Sequence, residues 1–344
     1  EVILDQAAFT VNDVVKNVSG VNQFSFYNDL TMRGFRVQGQ RNSSILLNGS
    51  RMMTSFWSQQ IIPHVERVEV IKGPASALFG NASPGGTINT VTKKPLETTK
   101  QSISASMGSF NTFRLLSDFT GPMTKDNKLL YRLNIGYQNT DGFRDLQFNK
   151  NIVVAPSFSF IPNEKTRLNF DVVYQDNKGR LDRGQAVFGD GDLYSTPITT
   201  SLSAETDYLN EQNLNVTLSF QHKFNENISF NSTYLNSSYD EDLLEHRTAN
   251  NFLALGDGSF DITQVAMRVF IRKRSWNNQN FTNYLNFDYD LGDIKNKVLV
   301  GYDYFQQELE PGGSQLEANA YLLQNGTATN SFNVANIYNY VIAE

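Results

Sequence analysis

Side chains able to do covalent or metal chemistry are few in this sequence and poorly spaced for it. Three histidines, His64, His222 and His246, are scattered without ligand-like intervals. There is no cysteine, which removes thiolate catalysis, cysteine metal sites and disulfide staples together. Gly73 to Gly80 has the wrong spacing for a phosphate-binding loop and runs into Asn81 where Gly-Lys would be needed. No Gly-x-Ser-x-Gly elbow occurs. The acidic glycine turns Asp190-Gly191-Asp192 and Asp257-Gly258-Ser259 hint at calcium, but such turns are far more often plain loops. With no catalytic constellation visible, the chain reads as a non-enzyme.

The elements that carry these residues fall into two regions. Residues 1–95 read as a small mixed α/β unit. Asp5 and Gln6 belong to an extended entry segment, and Thr10 with Asp13 caps a short helix from Val11 to Val18. Residues 31–35 and 44–47 are short strands, the second closed by Asn48-Gly49, a strong turn dipeptide. The stretch from Glu66 to Lys94 changes period three times. Val68, Val70 and Ile71 form a buried strand closed by Gly73-Pro74, and Ala75 to Phe79 form one helical turn. Ser83-Pro84-Gly85-Gly86 is a turn, and Thr87 to Thr92 a β-branched strand.

From about residue 101 the pattern becomes strict alternation. Tyr131, Leu133, Ile135 and Tyr137 oppose Arg132, Asn134, Gly136 and Gln138, and Leu214, Val216, Leu218 and Phe220 oppose Asn213, Asn215, Thr217 and Ser219. Such strands build an antiparallel sheet with one apolar and one wet face. Their connections alternate too. Short turns lie at 121–127, 162–165, 225–227 and 291–296, and longer links at 141–149, 179–208, 240–261 and beyond 310. Short turns at one rim and long loops at the other are the arrangement of membrane β-barrels. About nine strands are expected, from residue 101 to 309.

The totals agree. Hydrophobic residues make up 40% and aromatics 12% of 344 residues, which suits strands greasy on one face better than a deep two-sided core. No apolar run is long enough for a transmembrane helix, which leaves a membrane barrel open. A net charge of −6 argues against a nucleic-acid surface.

Met32-Arg33-Gly34-Phe35, Leu47-Asn48-Gly49 and the stretch Glu66 to Lys94 closely resemble the plug of TonB-dependent siderophore receptors. The last stretch follows the family form ERVEV-(I/L)-KGP-(A/S)-S-x-L-(F/Y)-G-x-x-SPGG-x-(I/V)-N-x-V-(T/S)-K-(K/R)-P at nearly every position. The resemblance, to the ferrichrome-type branch, runs from about residue 5 to 310 and is strongest at 30–95. It implies an α+β plug at 1–98 and, at 99–344, the N-terminal part of a transmembrane barrel with extracellular loops, about nine of an expected 22 strands. It also implies residence in the outer membrane of a Gram-negative bacterium, contact with its lipids, and import of a ferric siderophore with energy from TonB and its inner-membrane complex. No protein cofactor or metal ligand is needed, because the iron arrives chelated. The chain shows no TonB box and does not end on the family's terminal aromatic residue, so it is expected to be a fragment lacking both ends. Receptors for haem, cobalamin or a glycan are the alternative within transport, and a passive porin or adhesin the alternative outside it.

Residue by residue, the resemblance places Gly39 and Gln40 at the family's apical Gly-Gln pair, and Phe56 with Trp57 at its apical aromatic. A ferric siderophore is a bulky, neutral to anionic chelate, held well by aromatic faces and a few amide donors. Arg36 and Arg41 add charge-assisted donors. Solvated turn residues are the plain alternative. Val21-Asn22-Gln23 stands where ferrichrome-type members carry an Arg. The long links hold Phe188, Tyr194, Tyr208, Tyr239 and Phe252, which either line a vestibule or anchor at the membrane rim. Arg33 and Lys72 match the family's plug–barrel lock residues, which pair with wall carboxylates; a local pair with Glu66 or Glu69 is the rival reading.

Overall fold

The computed structural model describes residues 2–25, 27–38, 45–73, 84–184, 194, 197–310, 314–324 and 341–342. The chain opens with two short helices, α1 (Val2–Asp5) and α2 (Val11–Val15). Thr10 and Asp13 form the expected capping box on α2, each side chain answering the other's backbone N–H. The helix stops three residues earlier than expected, and Asp5, expected in an extended entry segment, is the last residue of α1.

Three antiparallel strands follow: β1 (Val21–Gln23), β2 (Asp29–Met32) and β3 (Phe35–Gln38). A second sheet has the order β5 (Ser50–Arg51), β4 (Ile45–Leu47), β7 (Gly86–Thr92), β6 (Val65–Lys72), with β4 and β7 parallel. The motif residues explain the turns. Arg33 and Gly34 between β2 and β3 have φ of 52° and 86°, and Asn48 and Gly49 between β4 and β5 have 51° and 87°. Both are two-residue hairpin turns with both central residues left-handed, the geometry that favours Gly and Asn. At Gly85 an added Cβ would collide with the Met32 carbonyl, and at Gly86 with that of Ile71. Gly85 lets the two sheets approach, and Gly86 lets β6 and β7 pair closely. Val15, Val21, Leu30, Met32, Val37 and Ile88 form the shared core.

From Lys100 the chain forms one antiparallel meander: β8 (Lys100–Gly108), β9 (Thr112–Pro122), β10 (Leu129–Asp141), β11 (Phe148–Asn163), β12 (Thr166–Gly179), β13 (Tyr208–Lys223), β14 (Ile228–Ala254), β15 (Phe260–Leu291) and β16 (Ile294–Leu309). These are the nine expected strands. Two further strands, β17 (Ser314–Gln324) and β18 (Val341–Ile342), extend the sheet to eleven among the described residues. One expectation fails: residues 240–261 are not a long link. β14 and β15 pair from Ile228↔Phe287 up to Ala254↔Phe260, so the polar segment continues the hairpin well past the end of β13.

Polarity is inverted relative to a water-soluble sheet. Ile135, Phe158, Phe170, Leu214, Leu218 and Phe281 are exposed, whereas Asn134, Ser157, Asp171, Asn213, Asn215 and Asn280 are buried. The apolar face turns outward and the wet face turns onto the N-terminal unit. Contact is close: a Cβ at Gly136 of β10 would press on Ile61 and Pro63.

Candidate functional site

Among the described residues, the polar bonds between the N-terminal unit and the wall concentrate in two places, one toward each rim. Near the short-turn rim, Lys93 pairs with Asp118 at 3.0 Å, and Arg132 grips the same carboxylate with two bonds of 2.7 and 2.8 Å. Lys94 reaches Asp171 at 2.7 Å, and Arg132 Nη1 donates to the Lys94 carbonyl at 2.8 Å. These bonds fix the point where the chain leaves the unit and enters β8.

Toward the long-link rim, residues 52–62 form a loop pressed on the inner faces of β12 to β14. Several of its bonds to the wall are neutral. Met53 N–H donates to Ser237 at 2.8 Å, Gln60 Nε2 to Asn213 at 3.0 Å, and Asn177 Nδ2 to Ser58 at 2.6 Å. Others run to two wall carboxylates. The two oxygens of Glu211 accept the backbone N–H groups of Trp57 and Ser58 at 3.2 and 3.0 Å. Glu241 accepts the Trp57 indole N–H at 3.0 Å. Tyr239 Oη lies 2.8 Å from both carboxylates, and its single hydrogen serves one of them at a time. Arg272 and Arg274 reach Glu241 at 2.5 and 2.8 Å. Just above, Arg183 binds Glu245 bidentately and Arg247 lies 3.4 Å from the same carboxylate.

The Trp57 ring is held on every side. Tyr27 and Phe56 meet it edge-on at 5.0 and 4.2 Å, and the guanidinium groups of Arg183 and Arg272 sit 4.4 and 5.1 Å from its centre. Leu181, Leu209 and Leu243 complete the cluster. Aromatic rings, cations and paired carboxylates thus close the space between loop and wall, and this floor faces the long links.

The expected site residues separate against this geometry. Gly39, Gln40, Arg41 and Phe188 lie outside the described residues. Phe56 is half-buried and Trp57 only 9% exposed. Tyr194 is 90% exposed on the 180–207 link. Tyr239 corrects the expectation of a link aromatic: it lies inside β14, 0% exposed, and positions two carboxylates. Arg36 bonds Asp29 and stacks on Phe24. Of the lock residues, Arg33 is exposed with its guanidinium beside Gly73, and Lys72 donates to the Ser19 carbonyl. Glu69 is taken by Arg67 and Asn89.

Sequence reasoning missed Glu211, Glu241, Arg183, Arg272 and Arg274. A signal existed in β13, where a carboxylate occupies an inward position at the head of the row Asn213, Asn215, Thr217. Among the described residues no three of His, Cys, Asp or Glu converge as a metal site.

A small α/β unit packed on the polar inner face of an antiparallel wall whose outer face is apolar is the architecture of part of a plugged membrane barrel. Residues 1–87 match the TonB-dependent receptor plug domain. The metal-pseudopaline receptor CntO of Pseudomonas aeruginosa is 32% identical over 241 residues, 70% of this chain and 33% of that protein. The ferrichrome outer membrane transporter/phage receptor of Escherichia coli K12 is 26% identical over 303 residues, 81% of this chain and 40% of that protein. The crystal structure of the ferric-catecholate import receptor Fiu from E. coli K12, in its open form, superposes with a TM-score of 0.81 at 23% identity. It covers 96% of this chain and 51% of that one. Residues 1–87 thus carry the plug domain of TonB-dependent receptors, and most of the chain is similar to outer-membrane siderophore and metal-chelate receptors. The chain spans 33% to 42% of the length of these and similar curated relatives.

Proposed function

We propose that the chain supplies the plug (1–98) and the first part of the barrel wall (99–344) of an outer-membrane active transporter. The receptor binds a ferric siderophore between the plug apex and the extracellular links, and TonB-transmitted energy draws part of the plug aside to release the cargo inward. The observation carrying this reading is the floor at residues 52–62. The apex loop is tied to the wall by a handful of hydrogen bonds that water can replace one by one, among them three neutral amide and hydroxyl contacts and three to the carboxylates of Glu211 and Glu241. A plug held this way blocks the lumen at rest and lets go under load. The apolar outer face meets outer-membrane lipid.

A second reading, a receptor for a chelate of another metal, draws support from the metal-pseudopaline receptor among the relatives. One experiment separates them. The full-length receptor is expressed in cells lacking their own siderophore receptors, and binding and uptake of chelates of radioactive iron, zinc, nickel and cobalt are followed with and without TonB. Iron uptake confined to TonB-containing cells, with binding in both, supports the ferric reading. Uptake of another metal alone supports the second. Uptake without TonB, or no binding, contradicts both.

A further inference from the structure

Side chains alternate along a strand, so the inward face of β15 next to Glu241 presents Arg272, Arg274 and Trp276 in succession. Among the described residues each of the three holds a buried nitrogen without a hydrogen-bond partner: Arg272 Nη2, Arg274 Nε and Trp276 Nε1. The Arg272 side chain is only 8% exposed. Buried N–H groups are nearly always paired, because a donor that loses water without gaining an acceptor is costly. Three such donors in a row, over about 13 Å of strand, form a deficit of one kind.

The carboxylates nearby do not fill it. Glu241 already serves Arg272 through Nε, Arg274 through Nη2, the Trp57 indole and Tyr239. Glu211 is occupied by Trp57, Ser58 and Tyr239. Charge points the same way, since Arg183, Arg247, Arg272 and Arg274 face three carboxylates, Glu211, Glu241 and Glu245. The next inward residue, Asn278, leaves its acceptor Oδ1 unpaired.

We infer that this row is a subsite for a carboxylate carried by the metal chelate, a proposal that rests on the receptor reading above. A guanidinium fork matches the two oxygens of a carboxylate, and the indole adds one more donor. Asn278 suits a hydroxyl or amine beside that carboxylate, the pattern of an α-hydroxy or α-amino acid. A neutral trihydroxamate chelate leaves the guanidinium charge unanswered, and a tris-catecholate spreads its charge over metal-bound oxygens behind an aromatic surface. The cargo class is therefore a carboxylate-bearing, anionic chelate.

The test uses the purified full-length receptor with ferric citrate, a neutral ferric trihydroxamate and a ferric tris-catecholate, binding being read by fluorescence quenching. Ferric citrate should bind most tightly. Arg274→Met should weaken it about tenfold or more, and Trp276→Phe, which keeps the ring and removes only the donor, about threefold. The Phe variant guards against a folding defect in the Met variant. Tightest binding of the hydroxamate or catecholate, or unchanged citrate affinity in both variants, overturns the subsite and leaves the receptor reading standing. Binding of no chelate by the wild type overturns both.

Discussion

Glu211 of the wall accepts the backbone N–H of Trp57 in the apex loop, with the neighbouring Ser58 N–H on its second oxygen. Replacing Glu211 by Ala leaves the Trp57 amide buried without an acceptor, leaves the Ser58 amide only Ser55 Oγ at 3.0 Å, and frees Tyr239 to turn to Glu241. Local opening of residues 52–62 should become easier by about 2–4 kcal/mol. Hydrogen exchange at Trp57 and Ser58 measures this, and unchanged protection would show that the carboxylate does not hold the loop.

The seam at the other rim should behave differently. Lys94 and Asp171 form a pair in which the carboxylate is nearly buried, also accepting from Ser157 at 2.5 Å. Asp171→Asn should be milder than Asp171→Ala, because the amide still accepts from Ser157. A double-mutant cycle with Lys94→Met should give a coupling of about 1–2 kcal/mol. A coupling of zero would make the pair incidental to the anchoring of the plug.

His64 gives the plug a pH dependence. Burial, with the charge of Lys93 adding to it, pushes its imidazole from 6.5 down to about 4. The unfolded chain therefore binds the proton first. Stability is complete above the ordinary histidine range, declines as pH falls from about 6.5 toward 4, and levels off below, by roughly 3 kcal/mol in all. Glu69, held below the usual carboxylate range by hydrogen bonds from Asn89 and then Arg67, adds its own decline at still lower pH. Thermal unfolding of the plug across this range should show the slope, and His64→Gln should flatten its upper part. An equal slope in the variant would assign it elsewhere.

Gly86 has φ of 140°, and an added Cβ would strike the Ile71 carbonyl. Gly86→Ala should thus destabilise the β6–β7 pairing by about 2–4 kcal/mol, combining backbone strain with overlap. Calorimetry of the full-length receptor is the measurement, with the wall transition expected to stay in place.

Much of this fold was legible because its signals are local. Arg33-Gly34, Asn48-Gly49 and Gly85-Gly86 answer to left-handed backbone or close approach, which few residue types satisfy. The wall strands announce themselves by alternation. The helix at residues 2–5 is too short to show a period. The upper halves of β14 and β15 read as a link because their composition is polar, and only pairing with each other makes them strands. Glu211 and Glu241 are partners of Trp57 across 154 and 184 residues, a separation that no local pattern encodes.

In the transport proposed above, the apex loop must part from the wall for cargo to pass. Ser58 Oγ and Asn177 Nδ2 lie 2.6 Å apart, and this chain has no cysteine to compete with an engineered pair. In the full-length receptor carrying Ser58→Cys and Asn177→Cys, uptake of radioactive ferric siderophore should stop when the disulfide forms, with surface binding retained, and resume on reduction. Equal uptake by the oxidised and reduced protein would contradict the account.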